Sequence, residues 1–251
     1  MDTSLYLTIA LGAVVAGFVQ GLSGFAFGLV AMSFWAWTVD PRLAAVLATA
    51  GALTGQLIAA FTVRRGFNKA LLMPFVVGGL IVVPLGVWLL PMLNIQVFKA
   101  CLGTLLVLWC PAMLMSRKLP RVTAGGRWAD AVAGWLGGVC GGIGGFAGAV
   151  PTLWCTLRGM EKDVQRAVVQ NFNLTMLSVA FALQLGTGLV TSDMLPLIAM
   201  VAVCVLVPVL LGARLYIGIS EANFRKIVLG LLTASGVALL ASSLPVLLRN
   251  L

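Results

Sequence analysis

The sequence predicts an all-α, polytopic membrane protein of two inverted repeats, each a glycine-broken helical hairpin followed by three spanning helices. Three observations lead to this prediction. First, 61% of the residues are hydrophobic and 9% are charged, whereas soluble domains are about 25% charged. Second, the apolar runs are continuous rather than alternating, which is typical of membrane helices and not of barrel strands. Third, a glycine-rich stretch occurs once in each half of the chain.

The glycine-rich stretch at 17–28 recurs at 134–148 with an offset of 120 residues, which pairs Gly24 with Gly144. Glycine costs roughly 1 kcal/mol in a helix interior, so both stretches should open their helices. Opened backbone survives in lipid only where protein or a polar cavity covers it. Paired breaks in two repeats therefore point to a transporter's binding site. The alternative is that the glycines only let helices pack closely.

Charge-free apolar runs mark the membrane segments. They cover residues 3–39, 43–63, 70–98, 100–116, 131–157, 167–192, 194–213 and 227–248. Most match the roughly 20 residues that cross a bilayer core. The run 3–39 would make a helix of about 55 Å, far longer than a core of about 30 Å. We therefore expect hairpins at 3–39 and 131–157, each turning at its glycines.

The distribution of positive charge supports these hairpins. Eight single crossings would divide the 16 Lys and Arg residues evenly between the two faces. Two hairpins and six spans instead leave only Arg42, Lys99 and Arg249 on one face. The opposite face then carries Arg64, Arg65, Lys69, Arg117, Lys118, Arg121, Arg127, Arg158, Lys162, Arg166, Arg214, Arg225 and Lys226. This is the bias of the positive-inside rule, which places both termini outside the cytoplasm.

The same count predicts the division of the chain. A first repeat, 1–116, is joined to a second repeat, 128–251, by a basic linker at 117–127. Each repeat crosses an odd number of times, so the second starts from the opposite face. The repeats are therefore expected to be inverted, related by an axis in the membrane plane.

Several classes of function are excluded or disfavoured by the residue types present. The chain has no histidine, and its five cysteines include no C-x-x-C pair. No phosphate-binding loop occurs and the seven acidic residues avoid the middle of the runs. These features argue against an enzyme, a metal site or a bound cofactor. The basic residues lie in connectors, where they orient the protein in the membrane, and they do not indicate a nucleic-acid partner.

Polar and glycine residues inside the runs are the candidate substrate contacts, because polar groups in a membrane are costly and usually functional. They are Gln20, Gly21, Ser23, Gly24, Thr49, Gln56, Gly141, Gly144, Gly145, Gln170, Asn171, Asn173 and Thr175. The alternative for the amides is hydrogen bonding between helices. Arg42 and Arg166 lie beyond the hairpins, either at the two mouths of the pathway or as interfacial anchors.

The hairpins predict where these side chains meet. Asn171 and Asn173 should lie near the tip at 141–145, and Thr49 and Gln56 near the first tip. An oxyanion between the tips would accept hydrogen bonds from free backbone N–H groups and from neutral side chains. Tryptophans near the run ends are expected to be interfacial anchors, with a pathway role as the alternative for the two that end the hairpins. They are Trp35, Trp37, Trp88, Trp109, Trp128 and Trp154.

The motifs G-F-x-x-G-x-x-G near the amino terminus and G-x-x-G-G-F-x-G-x-x-P at 141–151 resemble the TauE/SafE family of sulfite and organosulfonate exporters. Ala31 departs from the pattern, since the first repeat of the family often has a proline there. The resemblance implies a plasma-membrane secondary transporter of a sulfur-containing oxyanion such as sulfite, thiosulfate or an organosulfonate. Its expected partners are this small anion, the lipid bilayer and, in a homo-oligomer, further copies of the chain. The alternatives are a non-transporting scaffold and a transporter of another small organic anion.

Single-cysteine labelling with an impermeant reagent in whole cells tests the predicted topology. A cysteine placed in the linker 117–127 should react only after the cells are opened, and one at the carboxyl terminus should react in intact cells. A carboxyl terminus that is protected in intact cells would contradict the inverted repeats.

Overall fold

The computed structural model describes residues 3–62, 66–115, 121–215 and 221–249; between 221 and 231, side chains are described only at 226, 229 and 230. All regular structure in these ranges is helical. The α-helices are α1 Thr3–Ser23, α2 Phe27–Trp35, α3 Pro41–Thr62, α4 Lys69–Leu89, α5 Ile95–Met115, α6 Gly126–Gly144, α7 Ala149–Leu157, α8 Lys162–Gly186, α9 Leu195–Leu215 and α10 Glu221–Arg249. Short 3₁₀ turns at Leu90–Met92 and Ser192–Met194 follow α4 and precede α9.

Both predicted hairpins are present, as α1 with α2 and as α6 with α7. α1 stops where Gly24 takes a left-handed conformation, with φ of +85°, and α6 stops at Gly145, with φ of +72°. Each glycine donates its N–H to the carbonyl four residues back, over 2.6 Å and 3.0 Å respectively. Glycine adopts this conformation without the penalty that a side chain brings. The helix-breaking interpretation is confirmed.

The true offset between the hairpins is one residue larger than the sequence suggested. The left-handed residue of the second hairpin is Gly145, whereas the 120-residue offset had paired Gly24 with Gly144. An offset of 121 aligns the same tripeptide, Gly-Phe-Ala, at the start of both tips. Gly144 is instead the last residue of α6, and its Cα lies against the ring of Phe146.

The two tips meet inside the protein. A Cβ built on Gly28 would lie 2.7 Å from the carbonyl oxygen of Gly145, and one built on Gly148 would lie 2.8 Å from the Cβ of Phe25. The returning arms α2 and α7 have nine residues each, about 14 Å of helix, so neither can cross a hydrocarbon core of about 30 Å. Within the described residues, each hairpin therefore enters and turns back inside the fold.

Seven helices in the described ranges are long and apolar enough to cross a membrane. Six of these helices are the predicted single spans, three from each half of the chain. The seventh is α1, the long arm of the first hairpin. The chain is accordingly a multi-pass membrane protein.

The remaining glycines of the repeated stretches allow close packing of helices, so the alternative interpretation is also correct for them. Gly134 lies against the backbone of Phe75 in α4, and Gly138 against that of Gly79. Gly21 meets the backbone of α9 in the same way. Small residues at helix interfaces bring backbones together where lipid supplies no hydrophobic driving force.

Equivalent helices of the two halves make equivalent contacts. α1 packs on α9 as α6 packs on α4, while α3 with α8 and α5 with α10 pair across the halves. Two repeats related by a twofold axis would produce this pattern. The inverted orientation and the division at 117–127 stay predictions. Of the residues used in the charge count, Arg64, Arg65, Arg117 and Lys118 lie outside the described residues.

The glycine packing predicts a large effect from one methyl group. A Cβ on Gly134 would lie 2.6 Å from the Cα of Phe75, which is backbone and cannot rotate away. Gly134→Ala should destabilise the fold by about 1–3 kcal/mol, as overpacking does, and lower the thermal unfolding midpoint in detergent by several degrees. Gly230→Ala is the matched control, because a Cβ there meets no atom of the described residues within 4 Å. Equal midpoints for the two variants would contradict this packing.

Candidate functional site

Side chains satisfy the backbone groups that the first break exposes. Ser23 Oγ accepts the N–H groups of Phe25 and Ala26, at 3.3 Å and 3.1 Å. Gln56 Nε2 donates to the carbonyl of Gly24 over 2.7 Å. Two of the tip N–H groups predicted to be free for an anion are therefore occupied. An anion at this tip would have to be bound by side chains instead.

Arg166 lies at the first tip and not only at a mouth of the pathway. Its Nη2 donates to the carbonyl of Gly21 over 3.1 Å. This carbonyl belongs to the last turn of α1, where the helix dipole is negative and favours a cation. A positive charge on α8 thus reaches the point where the first hairpin turns.

One tryptophan connects the two tips. Trp109 Nε1 in α5 donates to the carbonyl of Ala149, the first residue of α7, over 2.7 Å. The same ring packs edge-on against Phe25 of the first tip, with centroids 5.6 Å apart. Trp109 and Trp35 are 4% and 0% exposed, so the prediction that they are interfacial anchors is wrong. Trp128, at 85%, is exposed as an anchor should be.

A cavity of about 400 Å³ lies beside the first tip. Its walls come from that tip, from α7, from the connection that leads to α8, from the first half of α8 and from Arg121. They comprise Leu22, Ser23, Phe25, Arg121, Thr152, Thr156, Gly159, Met160, Lys162, Gln165, Arg166, Val169 and Gln170. The cavity runs from the exposed residues Arg121 and Lys162 to Gln170, which is buried.

The charged side chains that line the cavity are all basic among the described residues. Arg121, Lys162 and Arg166 line it, and none of the described lining residues is acidic. Clefts lined by charge of one sign concentrate ions of the opposite sign. Arginine also forms strong, charge-assisted hydrogen bonds with oxyanions. The cavity is therefore suited to a small anion.

The described part of the linker between the two halves, which begins at Arg121, forms part of the cavity mouth. Val122 donates its N–H to the carbonyl of Leu157 at the end of α7, over 2.9 Å. The side chain of Arg121 lies over Gly159, whose φ is +70°. A Cβ at Gly159 would lie 2.6 Å from Arg121 Nε, so glycine there leaves room for the arginine.

One face of α8 carries the polar residues from the mouth inwards. Lys162, Arg166, Gln170 and Asn173 follow one another at helical spacing, four, four and three residues apart. Gln170 lies against Gly24, and Asn173 lies against Gly148 of the second hairpin. This spacing is visible in the sequence and could have placed Lys162 and Arg166 on the same helix face as Gln170, although the prediction did not use it.

Asn171 and Thr175 lie on another face of α8, so the prediction that Asn171 lies near the second tip is wrong. Asn171 Nδ2 donates to the carbonyl of Ala167, one turn back, over 2.9 Å. Thr175 Oγ1 donates to the carbonyl of Asn171 over the same distance. Asn171 lines a separate groove of about 290 Å³ beside the start of α4, together with Asn68 and others.

Thr49 lies near the second tip, whereas it was predicted near the first. A Cβ on Gly145 would lie 2.8 Å from the backbone N of Thr49. Thr49 Oγ1 also accepts a hydrogen bond from Gln184 Nε2 over 3.3 Å. Gln184, fully buried, was missed because it stands alone among apolar neighbours in the sequence. The predicted position of Gln56 is confirmed by its bond to the first tip.

Several predicted residues have structural partners. Gln20 Nε2 donates to the carbonyl of Ala52 in α3 over 2.9 Å. The carbonyl of Gly141 accepts the N–H of Gly145. Arg42 is exposed, and its Nη2 donates to the carbonyl of Pro91 over 2.7 Å. The structure thus does not bring Arg42 to the cavity.

A buried ion pair joins the two arms of the second hairpin. Asp130 of α6 lies 2.6 Å from Arg158 at the end of α7 and accepts a hydrogen bond of 2.7 Å from Trp154 Nε1. The pairing compensates the cost of burying the carboxylate. It also keeps this negative charge away from the cavity, which Asp130 does not line.

Comparison with known proteins agrees with this architecture. The family model described as sulfite exporter TauE/SafE matches residues 9–239, nearly the whole chain. No curated protein and no solved structure matches the chain. The match covers both hairpins, the cavity and the helices that hold them. The chain belongs to the TauE/SafE sulfite exporter family.

Proposed function

We propose that this protein is a secondary transporter that exports a small sulfur-containing oxyanion by alternating access. The observation that supports this most is the cavity, which has three basic residues and no acidic residue among its described lining and ends at the tip of a broken helix. Broken helices at the interface of two repeats are where secondary transporters bind their substrates. Membership of the exporter family supports the direction and the class of substrate.

The cavity offers two stages of binding. Arg121 and Lys162 at the exposed mouth attract the anion and raise its local concentration. Deeper in, Arg166 supplies charge-assisted hydrogen bonds and Gln170 supplies a neutral amide donor. Ser23 adds its hydroxyl hydrogen, since its oxygen already accepts the tip N–H groups. Phe25 and Val169 cover the apolar side.

Arg166 couples binding to movement of the first hairpin. Its guanidinium lines the cavity and also holds the carbonyl of Gly21. An oxyanion in the cavity competes for these donors and weakens the attachment of the tip to α8. A substrate shifts a conformational equilibrium when it interacts differently with the two states. The bound anion therefore favours release of the tip, as the export step requires.

A pair of neighbouring substitutions on α8 tests the site. Gln170→Leu removes a donor from the cavity and should raise the half-saturating concentration of the anion about ten- to a hundredfold. The reason is that a hydrogen bond to a charged group contributes roughly 1.5–3 kcal/mol. Asn171→Leu is the matched control, since that side chain faces the other groove, and it should transport nearly as the parent does. Both are measured as flux of labelled sulfite, thiosulfate or sulfoacetate into proteoliposomes.

Two outcomes would contradict the proposal. Absence of flux for every one of these anions in the folded parent protein would remove the transporter function. A loss of affinity in Asn171→Leu but not in Gln170→Leu would show that the anion binds in the groove beside Asn171 and not in the cavity. A circular dichroism spectrum unchanged from the parent serves as the control for folding.

A further inference from the structure

Five positions of α8 line the cavity, and the other half of the chain has an equivalent set. α8 begins at Lys162, 17 residues after the left-handed Gly145, and α3 begins at Pro41, 17 residues after the left-handed Gly24. The starts of α3 and α8 are therefore 121 residues apart, as the two left-handed glycines are. This offset pairs Lys162, Gln165, Arg166, Val169 and Gln170 with Pro41, Ala44, Ala45, Ala48 and Thr49.

The contacts of the two sets are also equivalent. A Cβ on Gly24 would lie 3.1 Å from Gln170 Nε2, and one on Gly145 would lie 2.8 Å from the backbone N of Thr49. Each tip therefore rests on the same position of the spanning helix from the other half. The difference is access at the outer positions, because Ala44 and Ala45 are 0% exposed whereas their equivalents Gln165 and Arg166 are half-buried. The surface on α3 is closed in this structure.

Two fully buried polar side chains, one beside this closed surface and one at a position equivalent to the cavity wall, have atoms without a hydrogen-bond partner among the described residues. They are Gln184 at Oε1 and Trp35 at Nε1, and both residues are 0% exposed. Gln184 contacts Thr49 through its nitrogen. Trp35 occupies the position, 121 residues earlier, that corresponds to Thr156 in the cavity wall. Buried polar atoms are seldom left unpaired. Of the two, the Trp35 N–H is a donor and suits an anion, whereas Gln184 Oε1 is an acceptor and Gln184 would contribute its amide nitrogen.

Building on the proposed function, we propose that Thr49, Gln184 and Trp35 around the tip at Gly145 form a second anion site. It opens on the face opposite the linker when the second hairpin withdraws from α3, as the first hairpin closes on α8. The donors of this site are the Trp35 N–H and the hydrogen of the Gln184 amide that Thr49 does not use. The Thr49 hydroxyl donates to the carbonyl of Ala45 and accepts from Gln184, so it holds the amide in place. Both donors of the site are neutral.

The second site differs from the first in charge. Ala45 stands where α8 has Arg166, and Ala44 stands where it has Gln165. Neutral hydrogen bonds are about half as strong as charge-assisted ones, so the anion binds at least about tenfold more weakly on this side. Strong binding on the linker side and weak binding on the opposite side favours capture from the first and release to the second. The difference in charge between Arg166 and Ala45 thus sets the face from which the protein captures the anion at low concentration, whereas the electrochemical gradient sets the direction of net transport.

Cysteine accessibility during transport tests the second site. Val169→Cys lines the open cavity, and Ala48→Cys is its equivalent on α3. With an impermeant thiosulfonate reagent applied to one face at a time, they should react from opposite faces. Sulfite supplied on the linker side should speed the reaction of Ala48→Cys and slow that of Val169→Cys. Ala50→Cys, on the opposite side of α3, is the matched control and should stay unreactive.

Modification is read on the peptide that carries the new cysteine, so the five native cysteines do not interfere. Flux is measured in the same vesicles. Normal flux with Ala48→Cys protected from both faces overturns the second site alone. Absence of flux in the parent overturns the proposed function and this inference with it.

A second measurement needs no substitution on α3. The half-saturating concentration of sulfite is determined from each face of sided membrane vesicles. The parent should show a value at least about tenfold lower on the linker face, and Arg166→Gln should bring the two values together. Equal values in the parent overturn the inference that the difference in charge makes the anion bind more weakly at the second site.

Discussion

The structure depends on one constraint: backbone groups freed inside a membrane must find partners within the protein. Two helices break, at Gly24 and at Gly145, and side chains from distant segments compensate the first break directly. Gln56 from α3 and Arg166 from α8 bind carbonyls at the first tip. Because these partners come from both halves of the chain, the breaks also hold the halves together at the place where an anion can enter.

The charge of the cavity follows from the kind of side chain that binds the freed carbonyls of the first tip. A carbonyl at the end of α1 is satisfied by an arginine, which places a positive charge beside a water-accessible space. The equivalent position on α3 is Ala45, and the second tip has no such charge there. The two halves thus share their geometry and differ in their electrostatics. In the proposed transport cycle, this difference favours capture of the anion on the face that carries Arg166.

Glycine pattern, apolar runs and helical spacing were sufficient to predict the class of fold, both hairpins and the position of Gln56. Other details required the three-dimensional arrangement. The offset between the two hairpins was wrong by one residue, because Gly144 and Gly145 are adjacent and either could end α6. Asn171 and Asn173 differ by about 200° around a helix, and only knowledge of the helix's neighbours distinguishes them. Gln184 is isolated in an apolar segment, and Trp109 is buried by a contact between distant helices that its position in a run does not reveal.

The central claim is that an oxyanion binds between the first hairpin tip and α8. Anomalous X-ray scattering from crystals soaked in selenite tests it most directly, because selenite has the shape and charge of sulfite and its selenium can be located without ambiguity. The account predicts a selenium peak in the cavity, within hydrogen-bonding reach of Arg166 and Gln170. A peak in the groove beside Asn171, with none in the cavity, would contradict it.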